Sequence, residues 1–91
     1  MTLMKYESAQ EAIEIANDSD YGLSGSVWSA NHSEACNVAS QLRTGMVHIN
    51  GADLDSAAPF GGYKKSGNGR EWGEYGLEEF LEVKSVYGAN I

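Results

Sequence analysis

The sequence predicts an α/β fold, a small parallel or mixed sheet with flanking helices in the order β-α-β-α-β. Three observations carry this reading. Two stretches space alanine, isoleucine, valine and leucine as one face of a helix, and each opens with a capping pair. Short runs of β-forming residues alternate with these stretches. The connections are brief, the pattern of helices packed on a sheet.

Residues 3–6 read as a short first strand. Ser8-Ala-Gln-Glu11 is a capping box, its hydroxyl placed to accept from the Glu11 amide. Ala9, Ala12, Ile13 and Ala16 follow as one apolar stripe, and Asn17 to Asp20 end the helix before Gly22. Residues 23–29 are small apart from Leu23, Val27 and Trp28, and they read as a second strand. Asn31 and Glu34 form a second capping pair, with Ala35, Val38, Ala39 and Leu42 as the stripe behind it. Thr44-Gly45 breaks this helix, and residues 46–49 (MVHI) form the third strand. Residues 50–68 read as a long glycine-punctuated loop, residues 71–79 as a third helix and residues 80–87 as a final strand. Gly73 and Gly76 in that helix each cost about 1 kcal/mol against alanine, so they point to close packing against another surface.

Ninety-one residues support one small domain, residues 1–91, burying roughly 60–65% of its unfolded surface. Hydrophobic content of 42% and charged content of 21% are globular values that argue against disorder. A formal charge of −7 argues against nucleic acid, which needs a concentrated basic face. Lys64, Lys65 and Arg70 do cluster, but Glu71, Glu74, Glu78 and Glu79 follow at once. No apolar run reaches the roughly 18 residues that cross a bilayer, so no membrane partner is expected. One cysteine rules out an internal disulfide and fits a reducing compartment; cytoplasmic location follows by default.

The most informative run is Pro-Phe-Gly-Gly-Tyr-Lys-Lys-Ser-Gly-Asn-Gly-Arg-Glu-Trp-Gly over residues 59–73, with five glycines in fifteen positions. Such density marks backbone at positive φ or in close approach. As a phosphate cradle it fails. Gly62 and Gly67 have the P-loop separation, but Asn68 and Gly69 stand where lysine and a hydroxyl residue are needed. Gly67 and Gly69 begin a dinucleotide pattern whose third glycine would be residue 72, which is Trp72. A loose anion nest from Gly67, Gly69 and Arg70 remains open. The plainer reading is a loop folded on itself to present Phe60 and Tyr63.

This run resembles the C-terminal signature of the aldehyde dehydrogenase superfamily. Glu11 to Leu23, Gly45 to Asn50 (GMVHIN) and Tyr75 to Val86 (YGLEEFLEVKSV) agree with it in collinear order. The resemblance implies the C-terminal part of a catalytic domain plus an oligomerisation tail. Asn50 matches the asparagine ending the family's Val-x-Ile-Asn strand, and Phe60, Gly61 and Gly62 match its Pro-Phe-Gly-Gly turn. Those residues, with Leu54 from the variable stretch between them, are the implied substrate loop. Lys64, Ser66, Gly67, Gly69 and Arg70 match the remainder of the signature, whose role in the family looks structural. The tail implies an oligomer interface at Phe80, Leu81, Val83, Val86 and Tyr87, hence a homo-oligomer joined through the C-terminal strand. Independently, Leu81, Val83 and Tyr87 fall on one face of that strand, opposite Glu82 and Lys84.

Catalysis is not implied. The family's nucleophilic cysteine loop, catalytic glutamate and NAD or NADP domain lie upstream of the matching region, so no catalytic residue and no cofactor is expected for this chain. Cys36 sits within a helix beside Ala35 and reads as a small, chemically quiet hydrophobe, at least half buried. His32 and His48 are sixteen apart without further ligands, so no metal site is expected, and His48 reads as a satisfied structural histidine. Glu78 and Glu79 diverge by about 100° on a helix and cannot share a substrate. The expected function is a truncated aldehyde dehydrogenase-like module that self-associates or binds, without dehydrogenase activity and with its small-molecule ligand unknown. Two accounts compete with it: a fragment of a full-length NAD(P)-dependent aldehyde dehydrogenase, and a novel small enzyme using Cys36 or the carboxylates.

Overall fold

The computed structural model describes residues 1–88. Its elements run α1 (Ala9–Asn17), β1 (Tyr21–Gly22), β2 (Ser24–Val27), α2 (His32–Gln41), β3 (Met46–Ile49), β4 (Tyr63–Lys64) and α3 (Gly73–Glu78). The centre is a βαβ unit. Strands β2 and β3 pair in parallel, Ser24 opposite Met46 and Val27 opposite Ile49, with α2 as the crossover. A parallel pair needs such a crossover because no tight turn can join its strands.

Both helices start where their caps stand. Ser8 Oγ accepts from the Glu11 amide at 3.1 Å, and Asn31 Oδ1 accepts from the Glu34 amide at 3.0 Å. The Glu11 carboxylate reaches back to the Glu7 amide at 3.2 Å, one residue before the cap. Helix α2 packs on β2 and β3, and α1 packs on α2. Ile13 and Ala35 are the only buried hydrophobic side chains among the described residues.

A second, antiparallel pair joins β1 to β4, Tyr21 opposite Lys64 and Gly22 opposite Tyr63. Side chains tie it to the helices. Asn17 donates to the Gln41 carbonyl at 2.9 Å and accepts from the Arg43 amide at 2.8 Å, so the ends of α1 and α2 are held together. Lys64 Nζ donates to the carbonyls of Asn17 and Ser19, each at 2.8 Å. A cation there complements the negative end of α1 and satisfies carbonyls the helix leaves open.

The α/β class and the parallel pair agree with the sequence; the element order does not. Residues 3–6 are not a strand and are exposed, and residues 80–87 are not a strand either. A strand exists only where a neighbour accepts and donates its ladder bonds, and neither segment pairs with any described residue. The third helix is shorter than expected, beginning at Gly73, because Glu71 is taken by a two-way backbone bridge with Phe60, each bond 2.7 Å. Strand β4 lies inside the stretch expected to be loop.

Candidate functional site

The site is built where the chain leaves β3. Asn50 has φ of 50°, in the left-handed region that asparagine tolerates better than most residues. Its Oδ1 accepts from the Ser29 amide at 2.9 Å, and its Nδ2 donates to the Ser29 carbonyl at 3.1 Å. The side chain thus imitates a backbone and extends the β2–β3 pairing one step. Gly51 lies beneath the Trp28 indole, and the Ala52 amide closes a tight turn on the Ile49 carbonyl at 3.1 Å. His48 Nδ1 lies 2.7 Å from the Ala52 carbonyl. That oxygen can only accept, so Nδ1 is the donor in this contact.

Residues 52–58 are exposed, with one internal turn in which Asp55 accepts from the Ala57 amide at 2.9 Å. Phe60 then fastens the loop through its bridge to Glu71, and its ring packs against Trp72 with centroids 5.0 Å apart. Behind the turn, Arg70 Nη1 donates to the carbonyls of Gly62 and Gly69 at 3.1 and 2.6 Å. A Cβ on Gly61 would sit 2.7 Å from the Gly69 oxygen and 2.8 Å from Arg70 Cδ, so only glycine fits. Tyr63 lies between two guanidinium groups, Arg43 at 4.9 Å and Arg70 at 5.5 Å from its ring. Gly62 is buried, and the neighbouring Ser66 Oγ accepts from the Gly22 amide at 2.8 Å.

Between β3, the loop and the start of α3 lies a cavity of about 290 Å³, lined by Met46, His48, Leu54, Pro59 and Trp72 among others. Leu54 therefore stands at a cavity wall, and Phe60 lines an adjoining cavity with Leu54, Met46 and His48. Asn50 does not line this cavity; its side chain is spent on Ser29. Gly61 and Gly62 form the frame. Sequence alone assigns Trp72 no role beyond interrupting a glycine pattern and marks His48 as structural. No local signal marks Trp72, because its position depends on a bridge to Phe60.

The tail residues stand apart from this cavity. Phe80, Val83 and Tyr87 are 89, 100 and 92% exposed, and Leu81 and Val86 are also exposed. Cys36 is exposed rather than half buried, with Sγ 3.5 Å from His32 Nε2 one turn away. The expected burial fails because the buried stripe of α2 narrows to Ala35, leaving the next residue facing outward. Among the described residues no group of three His, Cys, Asp or Glu could hold a metal ion. No helix of the described residues is long and apolar enough to cross a membrane.

A nicotinamide dinucleotide does not fit the residues present. Its pyrophosphate needs a strand running through a glycine turn into a helix N-terminus. Strand β2 leads into α2 through Trp28-Ser29-Ala30-Asn31, which has no glycine, β3 runs into the Asn50-Gly51 turn and an exposed loop, and β4 is two residues long with no helix directly after it.

A parallel βαβ unit carrying a glycine-locked loop beside a cavity defines a piece of an α/β fold. The chain belongs to the aldehyde dehydrogenase family, whose model matches residues 1–86. It is 66% identical over 88 residues to a 3-succinoylsemialdehyde-pyridine dehydrogenase from a Pseudomonas species, covering 97% of this chain and 18% of that protein. Among solved structures it resembles a Mycobacterium tuberculosis aldehyde dehydrogenase complexed with NAD+, with TM-score 0.84 and 44% identity over 94% of this chain and 18% of that one. The NAD+ complex of an aldehyde dehydrogenase from Bacillus cereus has TM-score 0.84 at 51% identity, over 89% of this chain and 17% of its own. The chain thus spans less than a fifth of the length of these relatives.

Proposed function

We propose that residues 1–91 act as the substrate-loop and subunit-interface segment of an NAD(P)-dependent aldehyde dehydrogenase, and carry no dehydrogenase chemistry by themselves. One observation supports this above all others: the surface left uncovered, on which large hydrophobic side chains such as Phe80, Val83 and Tyr87 are exposed. The accessible surface is 7549 Å², against about 5,200 Å² for a compact monomer of 9.8 kDa. The excess, about 2,300 Å², is nearly three times the ~800 Å² each partner gives up in a standard interface. A single contact between two tails would cover only part of it. The remainder of an enzyme covers far more, and this favours the segment reading over a free-standing self-associating module.

In this reading Leu54 and Phe60 face the aldehyde passage, Asn50, Gly61 and Gly62 hold the loop, and Phe80, Leu81, Val83, Val86 and Tyr87 join a neighbouring subunit. The cytoplasm is the fitting compartment for an exposed, unpaired Cys36. The test is complementation. This chain is co-expressed with the upstream portion of a family enzyme that lacks the matching segment, and NADH formation from an aldehyde is followed. Each part alone should be inactive and the mixture active. Dehydrogenase activity from this chain alone, or no association with the upstream portion, would refute the reading.

A further inference from the structure

Trp72 has a backbone conformation that its chemistry does not favour. Its φ is 64° and ψ 155°, outside the small left-handed well, in a region essentially reserved for glycine. A bulky non-glycine residue there costs of order 1–3 kcal/mol and persists only when its surroundings over-determine it. Both sides do so here. Before it, Glu71 is fixed by the two 2.7 Å bonds to Phe60. After it, Gly73 lies directly against the Ala57 carbonyl, with no room for a side chain. The indole is held in turn by the Phe60 ring at 5.0 Å with the planes tilted by 47°.

This strain is not explained by a need to bury the indole, which remains 41% exposed. What the conformation achieves is to place Trp72 in the lining of the 290 Å³ cavity together with Met46 and His48 of β3. Leu54, Ala58, Pro59, Asp53 and Asp55 also line it, and no lysine or arginine does. We infer that Trp72 is a specificity-determining residue whose indole stacks on an aromatic ring carried by the aldehyde substrate. His48 lines the same cavity and can offer a ring nitrogen to a polar group of the substrate. The inference rests on the proposed substrate-loop role of this segment and names the substrate class: aryl rather than straight-chain alkyl aldehydes.

The test uses the complex of this chain with the upstream enzyme portion and compares kcat/KM for benzaldehyde and hexanal. Trp72→Leu should lower the benzaldehyde-to-hexanal ratio about tenfold, the upper range of what an aromatic pair supplies. Trp72→Phe should keep most of the ratio, and it serves if the leucine variant does not assemble. A loss of activity toward both aldehydes by the same factor in both variants would show a merely structural role and overturn the inference. An unchanged ratio at full activity would also overturn it, while leaving the substrate-loop reading intact. A wild-type complex that oxidises neither aldehyde would bring down that reading and the inference with it.

Discussion

Asn50 shows how one side chain can do the work of a missing strand residue. At φ 50° it holds both polar groups of Ser29, at 2.9 and 3.1 Å, and turns the chain out of β3 in a fixed direction. Alanine there would lose both bonds and would occupy the left-handed region without the local compensation asparagine has. Asn50→Ala should therefore cost about 2–3 kcal/mol, the sum of two modest hydrogen bonds and the backbone penalty. Asn50→Gly should recover the backbone part and lose only the bonds. Chemical denaturation followed by Trp28 fluorescence reports this, since Trp28 lies over Gly51. If alanine proved as stable as asparagine, the loop direction would be set elsewhere.

At the level of elements, what could be read in advance was what is decided within a few residues. The Ser8 and Asn31 caps act over three residues, and the helices follow them. Strand β3 was legible because four β-formers stand between a glycine and a turn. Residues 3–6 and 80–87 have the same local composition but no ladder, and composition cannot supply a neighbour. Strand β4 is two residues long, too short for any period to show. The site was half legible: the glycine run located the loop, whereas Trp72 depends on the bridge from Phe60 to Glu71. Helix α3 offers a test of such long-range control. Gly76→Ala would gain about 1 kcal/mol of helix propensity in isolation. Here Gly76 is buried, and the added Cβ would lie 2.6 Å from the Glu71 carbonyl carbon. Crowding of backbone costs about 1–3 kcal/mol, so the substitution should destabilise α3 and weaken the Phe60–Glu71 bridge. Circular dichroism with Trp72 fluorescence checks it; a more helical, more stable variant would show that the close approach is dispensable.

For the whole molecule the deciding quantity is shape. The radius of gyration is 17.5 Å and the extents are 62 × 28 × 21 Å, whereas a compact chain of 91 residues would have a radius of about 12 Å. An elongated chain with two buried hydrophobic side chains among the described residues has too little core to offset the entropy of ordering it. Surfaces outside itself are therefore expected to supply part of its stability. In the absence of an upstream enzyme portion, the nearest such surface is another copy. The tail is best placed to start the contact: Phe80, Leu81, Val83, Val86 and Tyr87 are exposed. Beyond Leu81, whose amide bonds the Glu78 carbonyl, the tail's backbone can add to a sheet edge and gain the ladder it lacks. Sedimentation of the isolated chain at micromolar concentration should therefore show a dimer or larger closed oligomer. Truncation after Phe80 should abolish that defined species, leaving a monomer or an insoluble chain, because the other uncovered apolar surface then has no ordered partner. A parent chain that stays monomeric at high micromolar concentration would contradict the argument from surface. A truncated chain with an unchanged oligomer would instead move the contact away from the tail, to the exposed face around Tyr21, Leu23 and Trp28.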